Sequence, residues 1–248
     1  MERTRILREM GLGPVWKLRA VPAEAVLEER EPEHASSPLA ASLPVAAVNP
    51  PPSMAPAAPV MAMGWAELAA AVTACRLCPL CQNRKQAVLG VGDVNADWLF
   101  VGEGPGAEED QRGEPFVGQA GKLLDNMLAA IGLRRGQNVY IANAVKCRPP
   151  ENRTPTPEEV AACRPYLERQ IELLQPKLIV ALGRPAAQTL LQAEVKIAAA
   201  RGKLHDYRGI PLVVTYHPAY LLRTLLDKAK AWEDLCFMKR SMPTLRGD

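Results

Sequence analysis

The sequence contains no run of about 18 or more apolar residues, so no stretch is built to cross a bilayer as a helix. Its first 20 residues, MERTRILREMGLGPVWKLRA, scatter charge through the segment and lack the continuous apolar stretch of a secretory signal. A cytoplasmic protein is therefore expected, with no membrane partner. Without export, the six cysteines read as metal ligands rather than disulfides. No GxxxxGK[ST] pattern is present, which argues against a Walker-type phosphate loop. Residues 31–60 lack any aromatic residue and hold eight Pro and eight Ala. Such a segment cannot bury enough surface to offset its chain entropy. There is no internal repeat. The net charge of +3 excludes little, since a nucleic-acid enzyme can carry a local basic face on a near-neutral chain.

These absences divide the chain. Residues 1–20 read as a short helix with Ile6, Leu7 and Met10 on one side, serving as a tail or as a docking peptide for a protein partner. Residues 21–60 form a Pro/Ala-rich disordered linker, and 61–248 form one folded domain. Within it, the stretch WLFVGEGPGAEEDQRGEPFVGQAGKLLDN (98–126) is central. Its apolar run Trp98 to Val101 stops at a glycine-rich turn and re-enters amphipathic sequence near Gln119, the pattern of a buried strand, a loop and a helix. An acidic polar loop lies between. VYIANAV (139–145) and LIVAL (178–182) read as further buried strands, and a short strand is expected at Ala87 to Leu89. Lys203 to Tyr207 and Leu212 to Tyr216 read as a hairpin. Thr156-Pro157-Glu158-Glu159 is a helix start, with an N-cap hydroxyl, proline at the first position and glutamate at the third. Helices are expected from about Gln119 to Ile131, to about Leu174 after Thr156, and over roughly 228–240. Strands alternating with helices predict an α/β fold with a mainly parallel sheet covered on both faces.

Three groups of residues carry chemistry. Cys75 and Cys78 form a C-x2-C, joined by Cys147 and Cys163. Four thiolates suit zinc or an iron–sulfur cluster, and spacing alone does not separate them. Cys81 extends the first pair into a ferredoxin-like triple lacking its nearby fourth member. Cys236 reads as core packing. Glu103, Asn143 and His217 follow successive strands and would converge at one edge of the sheet, where open α/β sheets bind ligands. The Asn143 amide offers a donor and an acceptor, as reading a base edge requires. Acids in the GEGPG loop disfavour phosphate, so with PFVG behind it an uncharged planar ligand is expected. A basic rim of Lys122, Lys146, Arg148, Arg153 and Arg223 would contact phosphates. Leu221 and Leu222 would be exposed on a loop, able to wedge into a base stack.

GEGPGAEED with PFVGQAG, NAVKCRPPENRTP and HPAYLLR, together with the cysteines, resemble the family 4 uracil-DNA glycosylases that carry a 4Fe–4S cluster, over roughly residues 65–240. The resemblance implies a three-layer α/β/α fold with a central four-stranded mainly parallel sheet. It implies a structural 4Fe–4S cluster held by Cys75, Cys78, Cys147 and Cys163, with Cys81 an extra thiol. It also implies a monomer acting on single- or double-stranded DNA that contains uracil. Glu103 would sit in the catalytic loop, with Gly104 where other families place an Asp or Asn. Phe116 would stack on uracil, Asn143 would bond its polar edge and His217 its O2. Glu103 or Glu109 would orient water, and Glu109 would border C5. Lys146, Arg148, Arg153, Leu222 and Arg223 would touch DNA. A covalently cross-linking branch carries a basic insertion with a second histidine after PFVG; none lies between Gly118 and Asn143. Two rivals remain: a phosphoester hydrolase using GEGPG as a phosphate loop, and an iron–sulfur or zinc DNA-binding adaptor that releases no base.

Overall fold

The computed structural model describes residues 60–246. The expected helix of residues 1–20, and the linker 21–60 apart from Val60, lie outside the described residues. Six strands run in chain order: β1 (Val91–Gly92), β2 (Trp98–Gly102), β3 (Val139–Asn143), β4 (Leu178–Leu182), β5 (His205–Tyr207) and β6 (Ile210–Thr215). The helices are α1 (Trp65–Ala74), α2 (Ala107–Arg112), α3 (Gln119–Ala130), α4 (Pro157–Leu174), α5 (Arg184–Leu191), α6 (Ile197–Ala200), α7 (Pro218–Arg223) and α8 (Lys228–Arg246).

The strands form one sheet in the order β1-β3-β2-β4-β6-β5. The inner four, β3-β2-β4-β6, are parallel, and the two edges pair antiparallel. The expected four-stranded parallel core is there, with one short strand added on each side. WLFVG, VYIAN and LIVAL are buried at every position, as parallel strands covered on both faces must be. Their alternation splits the core. Leu99, Val101, Ile179 and Ala181 pack with Leu167 and Ile171 of α4 and Ala186 and Leu190 of α5. Trp98, Phe100, Val180 and Leu182 pack with Leu124 and Leu128 of α3 and Leu235 and Met238 of α8. A third cluster joins Leu68 and Val72 of α1 to Leu80, Val145, Cys147, Cys163 and Tyr166.

Three local expectations change. The strand at Ala87–Leu89 is absent; pairing starts at Val91, although the Val88 N–H reaches the Lys146 carbonyl at 2.7 Å. The hairpin turn is the pair Arg208-Gly209, at φ 52° and 88°, so Ile210 and Pro211 belong to β6. Positive φ at both positions matches the right-handed twist of the flanking strands. The acidic loop contains α2, whose N-cap is Gly106; the Gly106 N–H is held by Glu109 Oε2 at 3.1 Å. A glycine cap has no hydroxyl to announce the helix. The Thr156 start of α4 forms as expected, with Thr156 and Glu159 bonding each other's main-chain N–H groups.

From β2 the chain moves to β3 on one side, and from β4 to β6 on the other. The reversal opens a crevice at the carboxyl ends of β2 and β4, where such sheets bind ligands.

Candidate active site

A cavity of about 910 Å³ occupies that crevice. Each inner strand delivers one wall: Glu103 and Gly104 after β2, Asn143 at the end of β3, Gly183 after β4, His217 after β6. Phe116 enters from the loop between α2 and α3. The strand ends named from the sequence therefore meet in one place.

Asn143 is only 2% exposed, and its Oδ1 has no hydrogen-bond partner among the described residues. A buried acceptor left this way costs about 1–3 kcal/mol, a cost a ligand N–H can remove. Gly102 makes room for it: a Cβ there would lie 2.4 Å from Asn143 Oδ1 and 2.6 Å from the Phe116 ring. Gly104 is less crowded, but a Cβ there would come within 2.8 Å of a Val145 methyl, so a larger residue would require that side chain to shift.

His217 caps α7, and its Nδ1 accepts the Ala219 N–H at 3.1 Å. The ring proton of the neutral imidazole then sits on Nε2, which is left to donate. Burial, helped by the Arg223 guanidinium, lowers the imidazole from the ordinary 6.5 to about 4. Between those values the unfolded chain binds a proton that the native protein does not, so stability rises with pH across the window and falls as pH drops through it. The His217 ring resonances should titrate near 4 by NMR. A midpoint at the ordinary 6.5 would show that burial does not hold the ring neutral across the acidic range.

Phe116 adopts φ 54°, a left-handed conformation uncommon for a bulky residue, and its ring lies 5.5 Å from that of His217. Two clamps impose it. Glu109 Oε1 accepts the N–H groups of Val117 and Gly118 at 3.0 and 3.1 Å. Arg135, anchored on Asp125, donates to the carbonyls of Pro115 and Phe116 at 2.9 and 2.8 Å. Sequence reasoning missed Arg135, which carries no motif signal. Both Glu109 oxygens are thus engaged by main chain, whereas Glu103 is half-buried in the wall, its carboxyl raised by burial against the opposing pull of Thr154 and Arg184.

At the rim, Arg153 and Arg223 line the cavity mouth, although Arg153 also pairs with Glu159 at 2.7 Å. Arg148 bonds Asn152 at 2.8 Å, and Lys122 is exposed on α3. Two expectations fail here. Lys146 is 1% exposed, its ammonium bonded to the Asn143 carbonyl and to Gln170 Oε1, so it cannot reach a phosphate. HPAYLLR is helical from Pro218, and the helix phase buries Leu221 while exposing Leu222. Leu225 and Leu226 are also exposed beyond it.

Behind the site, Cys75, Cys78, Cys81, Cys147 and Cys163 line one small cavity and form no disulfide. Two of these sulfurs receive a donor at hydrogen-bond distance: Cys147 from Arg84 Nη1 at 2.8 Å and Cys163 from the Lys146 N–H at 3.2 Å. Burial pushes the Cys163 thiol up to about 12, an environment that accepts a thiolate only with added positive charge. Among the described residues, no three His, Cys, Asp or Glu side chains are placed to hold a single metal ion. Nor is any described helix long and apolar enough to cross a membrane.

The chain matches the model of the Uracil DNA glycosylase superfamily over residues 89–236. It is 51% identical over 154 residues to the type-4 uracil-DNA glycosylase of Thermotoga maritima, covering 61% of this chain and 80% of that protein. It is 49% identical over 159 residues to the type-4 enzyme of Archaeoglobus fulgidus, covering 61% and 79%. A type-5 uracil-DNA glycosylase of Thermus thermophilus is more distant, at 38% over 151 residues, covering 48% and 68%. An α/β sheet with its cavity at the parallel strand ends, extended sequence identity and a superfamily match reach one conclusion: the chain belongs to the uracil DNA glycosylases, and among them to the type-4 family.

Proposed function

We infer that this protein hydrolyses the N-glycosidic bond of deoxyuridine in DNA, releasing uracil and leaving an abasic site for base excision repair. The observation that carries the reading is the unpartnered Asn143 Oδ1, buried in the same cavity as the Phe116 ring and the His217 imidazole. Uracil presents an N3–H to such an acceptor. Cytosine presents a lone pair there, setting two acceptors face to face. Duplex DNA hides the scissile bond, so the nucleotide flips out at a cost of a few kcal/mol. Stacking on Phe116 offsets about 1–3 kcal/mol of that. As the bond to the sugar lengthens, negative charge gathers on uracil, and the His217 Nε2–H stabilises it at O2. Glu103, facing the same cavity, orients water and stabilises the positive sugar. Glu109 holds the Phe116 loop. Arg148, Arg153 and Arg223 take phosphates, and Leu222 fills the gap left by the flipped base. The protein acts as a cytoplasmic monomer.

An oligonucleotide with one uracil, treated with the protein and then with alkali, should be cut at that position. An otherwise identical oligonucleotide with cytosine should stay whole. Binding without strand cleavage would instead identify a DNA-binding adaptor.

Five cysteines line one cavity, and we propose that Cys75, Cys78, Cys147 and Cys163 would hold a 4Fe–4S cluster there; the Cys147 and Cys163 sulfurs already accept donors suited to a thiolate. When bound, the cluster supplies cross-links between the α1 end, the 147–153 loop and α4. Cys147→Ser should abolish the brown iron–sulfur absorbance and lower Tm. Full colour and iron content in that variant would remove Cys147 from the ligand set.

A further inference from the structure

We propose that Lys146 is a positioning residue for uracil recognition, holding the main chain of Asn143 so that its amide faces the base. The inference rests on the proposed function and concerns a residue that touches neither base nor phosphate.

Burying an ammonium is costly unless it is well paired. Here the partners are neutral: Nζ donates to the Asn143 carbonyl at 2.8 Å and to Gln170 Oε1. Cys163 and Cys147 also lie close enough to favour the charge electrostatically, but the hydrogen bonds themselves go to Asn143 and Gln170. What the ammonium holds is the turn from Asn143 to Lys146. The outer edge of the turn continues the β2 ladder, with Ala144 N–H on the Gly102 carbonyl at 2.9 Å and Val145 N–H on the Glu103 carbonyl at 3.1 Å. Its inner edge is tied through residue 146, whose N–H meets Cys163 Sγ and whose carbonyl accepts the Val88 N–H at 2.7 Å.

Gln170 completes the support. Its Nε2 donates to the Leu89 carbonyl at 2.9 Å and to the Tyr140 hydroxyl at 3.3 Å, so its Oε1 is aimed at the lysine. Gly102 leaves Asn143 Oδ1 the space it occupies, because a Cβ there would lie 2.4 Å away, so the amide depends on its own main chain for its orientation. A small rotation of the Asn143 peptide would therefore turn the acceptor away from the base. Lys146 joins the cysteine cavity to the base-reading amide through one residue: its main chain bonds a cysteine, and its side chain sets the asparagine.

The test compares Lys146→Met, Gln170→Glu and Gln170→Met with wild type for iron content, affinity for abasic-site duplex, inhibition by free uracil and single-turnover excision. A displacement of the amide by about 1 Å predicts a 10- to 100-fold loss of excision, with weaker inhibition by free uracil and unchanged abasic-site affinity. Lys146→Met with full iron and wild-type excision overturns the proposal. If Lys146→Met loses iron or fails to fold, Gln170→Glu decides, because it keeps the lysine and its acceptor while removing the amide's bonds to Leu89 and Tyr140; Gln170→Met removes both. Slower excision at full iron in Gln170→Glu sustains the proposal, and wild-type excision overturns it. Absence of uracil release by the wild-type protein would instead remove the function on which the proposal stands.

Discussion

His217→Ala should lose about 10²- to 10³-fold in single-turnover excision of uracil, the range for deleting one preorganised donor to a developing oxyanion. The expectation follows from the tautomer. Ala219 N–H occupies Nδ1, and burial with Arg223 keeps the ring neutral, so Nε2 offers one proton to the cavity. A neutral donor suits an oxygen whose charge grows only as the bond breaks, because it makes no full ion pair with the ground state. The fold should survive. The variant loses an N-cap contact worth about 1 kcal/mol and the ring contact with Phe116, but no residue of the strand core. Its Tm should fall slightly, and DNA affinity should hold. Excision at the wild-type rate would show that another group bears the charge on uracil.

Asn143→Ala should separate activity from stability more sharply. Losing the amide leaves polar groups of the base unpaired at about 1–3 kcal/mol each, so excision should drop roughly 10²- to 10³-fold. The free protein, however, loses an acceptor with no partner. Relief of that cost offsets the small void left behind, and Tm should be unchanged or higher. This combination belongs to a residue kept for its ligand. A Tm lowered by several degrees, with excision retained, would make Asn143 a structural residue. The two substitutions remove different partners of one base. Their combined loss should fall short of the product of the single losses, because residues acting as a unit are not additive.

The parallel core was readable because strands covered on both faces must be apolar throughout, and WLFV, VYIA and LIVAL are. Polar residues at or just past the ends of parallel strands stand at one edge of the sheet, which is why Glu103, Asn143 and His217 read as a group from the sequence, and all three line one cavity. The edge strands were harder, because two or three residues pair there mainly through main-chain contacts. Lys146 lies between Val145 and Cys147 and resembles any rim lysine until Gln170, 24 positions later, is seen to receive its ammonium.

Residue order by itself determined the alternation of strand and helix, the strand ends that carry polar groups and the cysteines available as ligands. These depend on local periodicity and on residue chemistry, which the chain carries wherever it folds. Tertiary structure decided which charges line the cavity rim and which are sealed inside, that Glu109 and Arg135 shape the Phe116 loop, and that the Asn143 amide is buried with an acceptor unmet. Each of those depends on distances between segments remote in sequence, and burial and pairing exist only once the segments have packed.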